Sequence, residues 1–396
     1  MLNNVRVLDF TRTLTGLFCN MLLSDLGAEV IQIEATQKIA GGVGSRTSVG
    51  WRVNGIDMRF LQMCRNKKSI LLNLKDPAAE SVLHDLVAKS DVVVDNYRPR
   101  ATEKLGIEYE RLKQVNPRLI SCSITGFKRT GRFRNVPSFD LIAEAMSGFW
   151  SLTGESGKLP LVPSIPLIDV TTGMFAAQGI LAALYHREIT GEGQKVDLSL
   201  LGTALTLTNY DGVSFLNSGN VPVPQGSKIR SGPLFGAFET KDGYIALCST
   251  TDMQFKSMCR AIEADHLVQD ARFTTRENRV KHKDLLNGLA QNIFVKWDTA
   301  ALVNLLGEAD VPIAEIVTLD KAFADPRVQE EDIFGTVEWQ GKRLNVLKSP
   351  IRLSARKKRV FHAPPDPGQE TDEIASKLLG YSDEKIKRLR EKGVIA

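Results

Sequence analysis

Short apolar runs alternate with helical patterns along the first 200 residues of the chain. Arg6-Val7-Leu8-Asp9-Phe10 predicts a strand, Thr11 to Gly16 a polar loop, and Phe18 to Leu26 a helix stopped by Gly27. Ala28 to Glu34 predicts the next strand. Residues 36–66, spotted with Gly and Arg, predict a long surface segment, and Lys67 to Lys75 a strand. Asp76-Pro77 opens a helix to about Ala88, and Asp91 to Asn96 is a buried strand ending in the polar cluster Asn96-Tyr97-Arg98-Pro99-Arg100. A further helix leads to Asn116, followed by a strand at Leu119 to Ile124 and a helix opened by Pro137 to Asp140 and ending near Gly148. Strands alternating with helices through short connections predict a doubly wound parallel sheet, whose ligands bind at the C-terminal strand ends.

The longest pattern starts at Asp169. From there to His186 the chain carries almost no charge, predicting a core helix apolar on nearly every side. Thr190 to Gly193 turn into Lys195-Val196-Asp197-Leu198-Ser199-Leu200, an alternating, half-exposed strand. An acid at the start of a core helix is either a helix cap or a reactive group, and the residues alone favour the cap.

The texture changes at Asn217 to Gly232, rich in Gly and Pro, which reads as a linker or mobile loop. Beyond it, Ala237 to Leu247 predicts a hairpin turning at Asp242-Gly243, followed by helices to about Gly307 and a strand at Val311 to Ala314. Strands return at Thr336 to Trp339 and Leu344 to Leu347, and a charged helix begins at Ser382. This predicts a large domain over residues 1–216, a linker over 217–232, a small α+β domain over 233–325, and a return to the large domain over 326–396.

Composition narrows the function. A 396-residue chain that is 43% hydrophobic and 24% charged has an ordinary soluble composition, and no run reaches the ~18 apolar residues of a membrane span. The N-terminus lacks a signal pattern, so the expected compartment is cytoplasmic, with neither membrane nor nucleic acid as partner at a net charge of only +5. The basic run Arg356-Lys357-Lys358-Arg359 reads as a solvated loop. Five scattered cysteines without CxxC spacing read as reduced thiols. The loop after the first strand offers only Gly16 where a dinucleotide fingerprint needs three glycines, which argues against a nicotinamide or flavin site. GxSxG and a His/Cys metal cluster are also missing, against serine-hydrolase and metal chemistry.

Several segments together resemble the class III CoA-transferases typified by formyl-CoA transferase. They are Val7 to Thr11, Asp25 to Ile31 with Glu34, Asn66 to Ser69 through Lys75, Asp91 to Val93 with Asp95 to Pro99, Asn116 to Ile120, and Gly173 with Gly191 to Asp197. The resemblance implies a discontinuous Rossmann-like large domain plus a small domain, in a ring-shaped protomer that interlocks with a second copy as a homodimer. It makes Asp169 the nucleophile in transfer of CoA from an acyl-CoA to a small carboxylic acid, with CoA as substrate and no permanent cofactor. It places Leu72, Asn73, Leu74 and Lys75 at the adenine end of CoA, Asn96, Tyr97 and Arg98 along its channel, and Lys104 at a phosphate. Arg12, Leu14 and Thr15 are implied to face the thioester and pantetheine, and Asp140 to orient substrate or cap its own helix. Here Thr15-Gly16-Leu17 stands where the family usually has Ala-Gly-Pro, and Ala35 replaces a phosphate-binding Arg, a contact left to Lys38 or Arg46. Some relatives shield the site with a Gly-rich loop, matched in position by Gln225 to Gly236. Arg12, Arg46 and Arg52 favour a dicarboxylate acceptor such as oxalate or succinate. Two rivals share the fold: a 2-methylacyl-CoA racemase, whose usual His before the acid is absent from Ser138-Phe139-Asp140, and a non-catalytic CoA-binding protein.

Overall fold

The structure, a computed structural model, describes residues 1–35, 51–355 and 360–396. Lys38, Arg46 and the basic run 356–359 lie outside the described residues.

The chain runs through β1 (Arg6–Asp9), α1 (Leu14–Asp25), β2 (Glu29–Glu34), β3 (Arg52–Val53), β4 (Ile56–Asp57), α2 (Met58–Cys64), β5 (Lys67–Leu71), α3 (Ala79–Ala88) and β6 (Val92–Asp95). It continues through α4 (Pro99–Leu105), α5 (Tyr109–Val115), β7 (Ile120–Thr125), α6 (Asp140–Met146), α7 (Leu167–Thr190), β8 (Lys195–Ser199), α8 (Leu200–Leu207) and α9 (Asn209–Ser218). Six strands form one parallel sheet in the order β5-β2-β1-β6-β7-β8. Chain order reverses between β1 and β6, and the helices after those two strands pack on opposite faces, leaving a crevice at the strand ends. The sheet is apolar on both sides because helices cover both: Leu8, Ile31 and Val93 pack with α3 and the C-terminus, and Val7, Val92 and Val94 with α1 and α7.

Four expectations are corrected here. Helix α1 starts at Leu14, not Phe18, because Thr13 is extended and Thr15, Gly16 and Leu17 pack inward as the first turn. Residues 36–50 of the expected surface segment lie outside the described residues and 51–55 are exposed, but 56–66 are not a surface segment. Asp57 caps α2 by accepting from the N–H groups of Arg59 and Phe60, and Phe60, Leu61 and Cys64 are buried. Arg65 is 0% exposed and pairs with Asp25 at 2.6 Å. Helix α7 is buried on one face only, where Gly173, Ala176, Ala177, Ile180 and Ala183 meet α1 and the sheet. Met174, Phe175, Tyr185 and Ile189 are exposed on its other side. Its 24 residues are also apolar and long enough to cross a membrane by length and composition, which the sequence was not expected to contain.

Two compact units emerge: Met1–Phe149 with Pro163–Val213 and Gln329–Ala396, and Trp150–Val162 with Ser214–Val328. The division differs from the expected one in that Trp150–Val162 joins the second unit. That unit holds the antiparallel sheet of β9 (Phe235–Glu239), β10 (Tyr244–Cys248) and β11 (Ile313–Glu315). Its helices are α10 (Asp252–Ala261), α11 (Asp265–Gln269), α12 (Arg276–Lys281), α13 (Lys283–Phe294) and α14 (Thr299–Glu308), around Phe238, Phe255, Phe273 and Phe294. After α15 (Leu319–Ala324) and α16 (Pro326–Glu330), the hairpin of β12 (Phe334–Trp339) and β13 (Lys342–Leu347) belongs to the first unit. It turns at Gln340 and Gly341, both with positive φ, as a tight hairpin turn demands, and packs Val337 and Val346 on Leu61 of α2.

The C-terminal segment, α17 (Thr371–Glu373) and α18 (Asp383–Glu391) included, returns to the β5 edge. Glu370 accepts from the Ser69 N–H at 2.7 Å, Thr371 from the Leu71 N–H at 3.2 Å, and Leu72 bridges to Ile395. One ion pair lies inside the sheet layer: Lys67 Nζ to Asp9 Oδ2 at 2.8 Å, with both side chains 0% exposed. Burial works against the Lys67 charge, yet the Asp9 carboxylate holds its ammonium above the ordinary lysine range.

Candidate active site

The loops leaving β1 and β6 are tied together at the crevice. The Arg12 N–H donates to Asn96 Oδ1 at 3.0 Å, and Asn96 Nδ2 donates to the Thr13 hydroxyl. The Arg12 guanidinium lies 5.2 Å from the centre of the Tyr97 ring. Asp95 fixes the β6 turn from beneath, accepting from the Tyr97 N–H at 3.1 Å and the Ser123 hydroxyl at 2.5 Å. Burial raises the Asp95 carboxyl, and nearby Arg129 opposes it.

Three clefts follow this edge of the sheet. The first, of about 90 Å³, is lined by Arg12, Leu72, Asn73, Leu74, Lys75 and Tyr97, so six of the expected CoA residues converge there, beside Glu34 and Ala35. The second, about 210 Å³, adjoins it through Leu74, Lys75 and Leu105 and adds Lys104 and Arg111. The third, about 180 Å³, is lined by Thr13, Thr15, Asn96, Arg98, Arg134, Ser138 and Asp169, among others. Leu14 lines none of these three clefts; it begins α1 and is half-buried.

Asp169 is the third residue of α7, a position where a carboxylate often serves the helix itself. Here another residue does that work. Asp140 Oδ1 accepts the Asp169 N–H at 2.8 Å, and its carboxylate also accepts the Ile168 N–H. Asp140 therefore caps α7 from the start of α6, a helix other than its own and a role not among the two expected for it. The Ile168 and Asp169 N–H groups of α7 are thus occupied. The Asp169 carboxylate is left to accept the Thr15 hydroxyl at Oδ1, and no hydrogen bond reaches Oδ2 among the described residues.

The helix N-terminus favours the ionised carboxylate, but burial outweighs it and pushes the Asp169 pKa up to about 6, still ionised at neutral pH. The Thr15 hydrogen bond and Arg59 pull it down, while Asp140 and Glu144 push it up. Only the ionised carboxylate is nucleophilic. With Asp169 as the nucleophile that the resemblance implies, the rate of attack on an acyl-CoA is therefore expected to be level above about pH 7 and to fall tenfold per unit below about 6. Rapid-quench measurement of the first half-reaction across pH checks this; a limb centred near the ordinary aspartate value contradicts it.

Arg59 is the residue the sequence did not single out. Its charge acts on Asp169, and its buried Nε has no hydrogen-bond partner among the described residues. Arg12 instead stacks on Tyr97, and Arg52 is exposed on β3. The only signal for Arg59 was its place two residues after the capping Asp57. The loop Gln225 to Gly236 belongs to the second unit, where Lys228 Nζ sits 3.2 Å from the centre of the Phe238 ring.

The pattern of CoA-transferase family III matches residues 2–371. Succinyl-CoA:glutarate CoA-transferase of Homo sapiens is 32% identical over 100% of this chain and 90% of its own length. Acetyl-CoA:oxalate CoA-transferase of Acetobacter aceti is 33% identical over 80% of each chain. Among solved structures, a CaiB/BaiF family protein from Brucella suis superposes with a TM-score of 0.82 at 28% identity, covering 95% of this chain and 99% of that one. A hypothetical protein from Mycobacterium tuberculosis superposes equally well, at 0.82 and 27% identity over 94% of this chain and 99% of that one.

Proposed function

The chain belongs to CoA-transferase family III and is an enzyme of CoA transfer; from this we propose that it moves CoA between small carboxylic acids through covalent intermediates on Asp169. The observation that carries the reading is the division of labour between two acids. Asp140 caps α7, so the Asp169 carboxylate, held at Oδ1 by Thr15, is spared from capping its own helix and lines the same cleft as Asn96 and Arg98.

CoA lies along the strand ends, its adenine against Leu72 to Lys75 and Tyr97, its phosphates near Lys75 and Lys104, and its pantetheine passing Asn96 and Arg98. Asp169 Oδ2 attacks the thioester carbonyl and expels CoA thiolate, giving an aspartyl acyl anhydride. The thiolate then attacks Asp169 Cγ and expels the donor acid, leaving an aspartyl-CoA thioester. An acceptor carboxylate repeats the two steps in reverse. Dividing the exchange in this way replaces one hard displacement with acyl transfers between activated carbonyls. The partly buried carboxylate, pKa about 6, is ionised at neutral pH yet more basic than a solvated aspartate.

The Arg59 charge acting on Asp169 supports an acceptor or donor with a second carboxylate, in keeping with the glutarate and oxalate in the relatives' names. An interlocked homodimer, the assembly implied by the family resemblance, is supported by the exposed Met174, Phe175, Leu205 and Tyr210 of α7, α8 and α9. Incubating the protein with a panel of acyl-CoA donors and mono- or dicarboxylates tests the function. Acceptor-CoA is expected only when both substrates are present, with one donor acid released per transfer and dicarboxylates preferred. Epimerisation of a 2-methylacyl-CoA without any acceptor, or CoA binding without turnover, overturns it.

A further inference from the structure

Thr15 is 2% exposed and lies in the first turn of α1, yet its hydroxyl donates to Asp169 Oδ1 across 154 residues of sequence. The two helices are locked close together where they meet. Gly173, one turn after Asp169 on the same face of α7, approaches so tightly that a Cβ there would lie 2.7 Å from the Thr15 carbonyl oxygen. From the other side, a Cβ on Gly16 would lie 2.3 Å from Thr11 Cγ2. Thr11 is itself hydrogen-bonded to Asp9, the partner of buried Lys67. The hydroxyl is thus held on one carboxylate oxygen by packing from both directions, and the other oxygen is left to react.

We infer that Thr15 is the oxyanion donor for the steps that pass through the carbonyl of Asp169 itself. The inference rests on Asp169 being the covalent nucleophile. When Oδ2 attacks an acyl-CoA, it becomes the bridging oxygen of the anhydride, and Oδ1 becomes a neutral carbonyl oxygen. CoA thiolate then adds to Cγ, and the electron pair of the C–O double bond moves onto Oδ1. As the pair returns, the Cγ–Oδ2 bond breaks and Oδ2 leaves with the donor acid as its carboxylate. Oδ1 goes from neutral to a full negative charge and back, with the Thr15 hydroxyl in place throughout. Attack of the acceptor carboxylate on the aspartyl-CoA thioester puts the charge on Oδ1 again, expelling thiolate. In the first and last steps the charge develops instead on the substrate's oxygen, beyond the reach of this contact. A donor fixed where charge develops lowers those two barriers without reorganisation.

The role separates the steps in a way that general packing does not. Thr15→Val keeps the shape and removes the donor, so anhydride formation persists while capture by CoA slows. Overall transfer is expected to fall about 10²–10³-fold, and the stalled anhydride to be lost to water. In rapid-quench single turnovers analysed by peptide mass, the wild-type protein is expected to carry mainly CoA on the Asp169 peptide. The Val variant is expected to carry mainly the acyl group and to release free CoA and acid by hydrolysis. Thr15→Ser restores the wild-type pattern, and its recovery separates loss of the hydroxyl from misfolding in the Val protein. Equal proportions of CoA and acyl adducts in wild type and Val, with the same hydrolysis-to-transfer ratio, overturn the inference about Thr15. An unmodified Asp169 peptide in the wild type overturns instead the nucleophile on which it rests.

Discussion

Asp169→Asn is expected to fold, to bind CoA, and to lose CoA transfer by roughly 10⁴–10⁶-fold, the scale on which removing a covalent nucleophile acts. The amide fills the same space and its oxygen still accepts from Thr15, but it cannot form the anhydride. Folding survives because the α7 terminus is capped by Asp140 through backbone N–H groups that the substitution leaves alone. The substitution is also expected to stabilise the protein. Burial raises the folded-state pKa of Asp169 from 3.8 to about 6. An acid raised in this way costs stability wherever it is ionised in the fold. The cost is fully present above about pH 6, shrinks as pH falls, and is gone below about 4. Thermal unfolding of the two proteins at several pH values is therefore expected to show the Asn variant more stable at neutral pH, with the curves converging in acid. A merely structural acid would give the opposite sign.

Lys67→Met carries the second large effect, and it acts on the fold. The substitution strands the Asp9 carboxylate at 0% exposure with Thr11 as its remaining hydrogen-bond partner. Removing one member of a buried pair costs about 3–5 kcal/mol, which denaturant titration resolves readily. The double variant Asp9→Asn, Lys67→Met removes both charges and is expected to recover much of the loss. Because Asp9 holds Thr11, and Thr11 packs beneath Gly16, the single variant also loosens the start of α1 beside Asp169. A stability loss below about 1 kcal/mol contradicts the assignment of this pair.

The parallel sheet was legible because β1, β6 and β7 are short apolar runs separated by helical patterns, and the Asp242-Gly243 turn announced the β9–β10 pairing. Position along those strands also brought the residues expected to bind CoA to one edge, since side chains at C-terminal strand ends are neighbours whatever their sequence separation. Helix α2 was hidden because its burial depends on a hairpin some 280 residues later: Gln62 exchanges two hydrogen bonds with the Leu347 backbone. The one-sided burial of α7 was hidden for a different reason, since an apolar residue is not bound to be buried and Met174, Phe175, Tyr185 and Ile189 stay exposed on the single chain. Asp169 itself came from the family resemblance, because the residues alone favoured a cap. What argues against a capping role for Asp169 is Asp140, 29 positions earlier, reaching the α7 backbone. Thr15 and Arg59 come to Asp169 from α1 and α2 by tertiary packing, which leaves no local pattern to read.

The identity of the covalent species on Asp169 tests the account most directly. The protein is mixed with one equivalent of acyl-CoA and no acceptor, quenched, digested and weighed. The account predicts CoA in thioester linkage on the peptide containing Asp169, converted to a hydroxamate by hydroxylamine and missing from Asp169→Asn. An unmodified peptide, or an adduct that persists in Asp169→Asn, would contradict it.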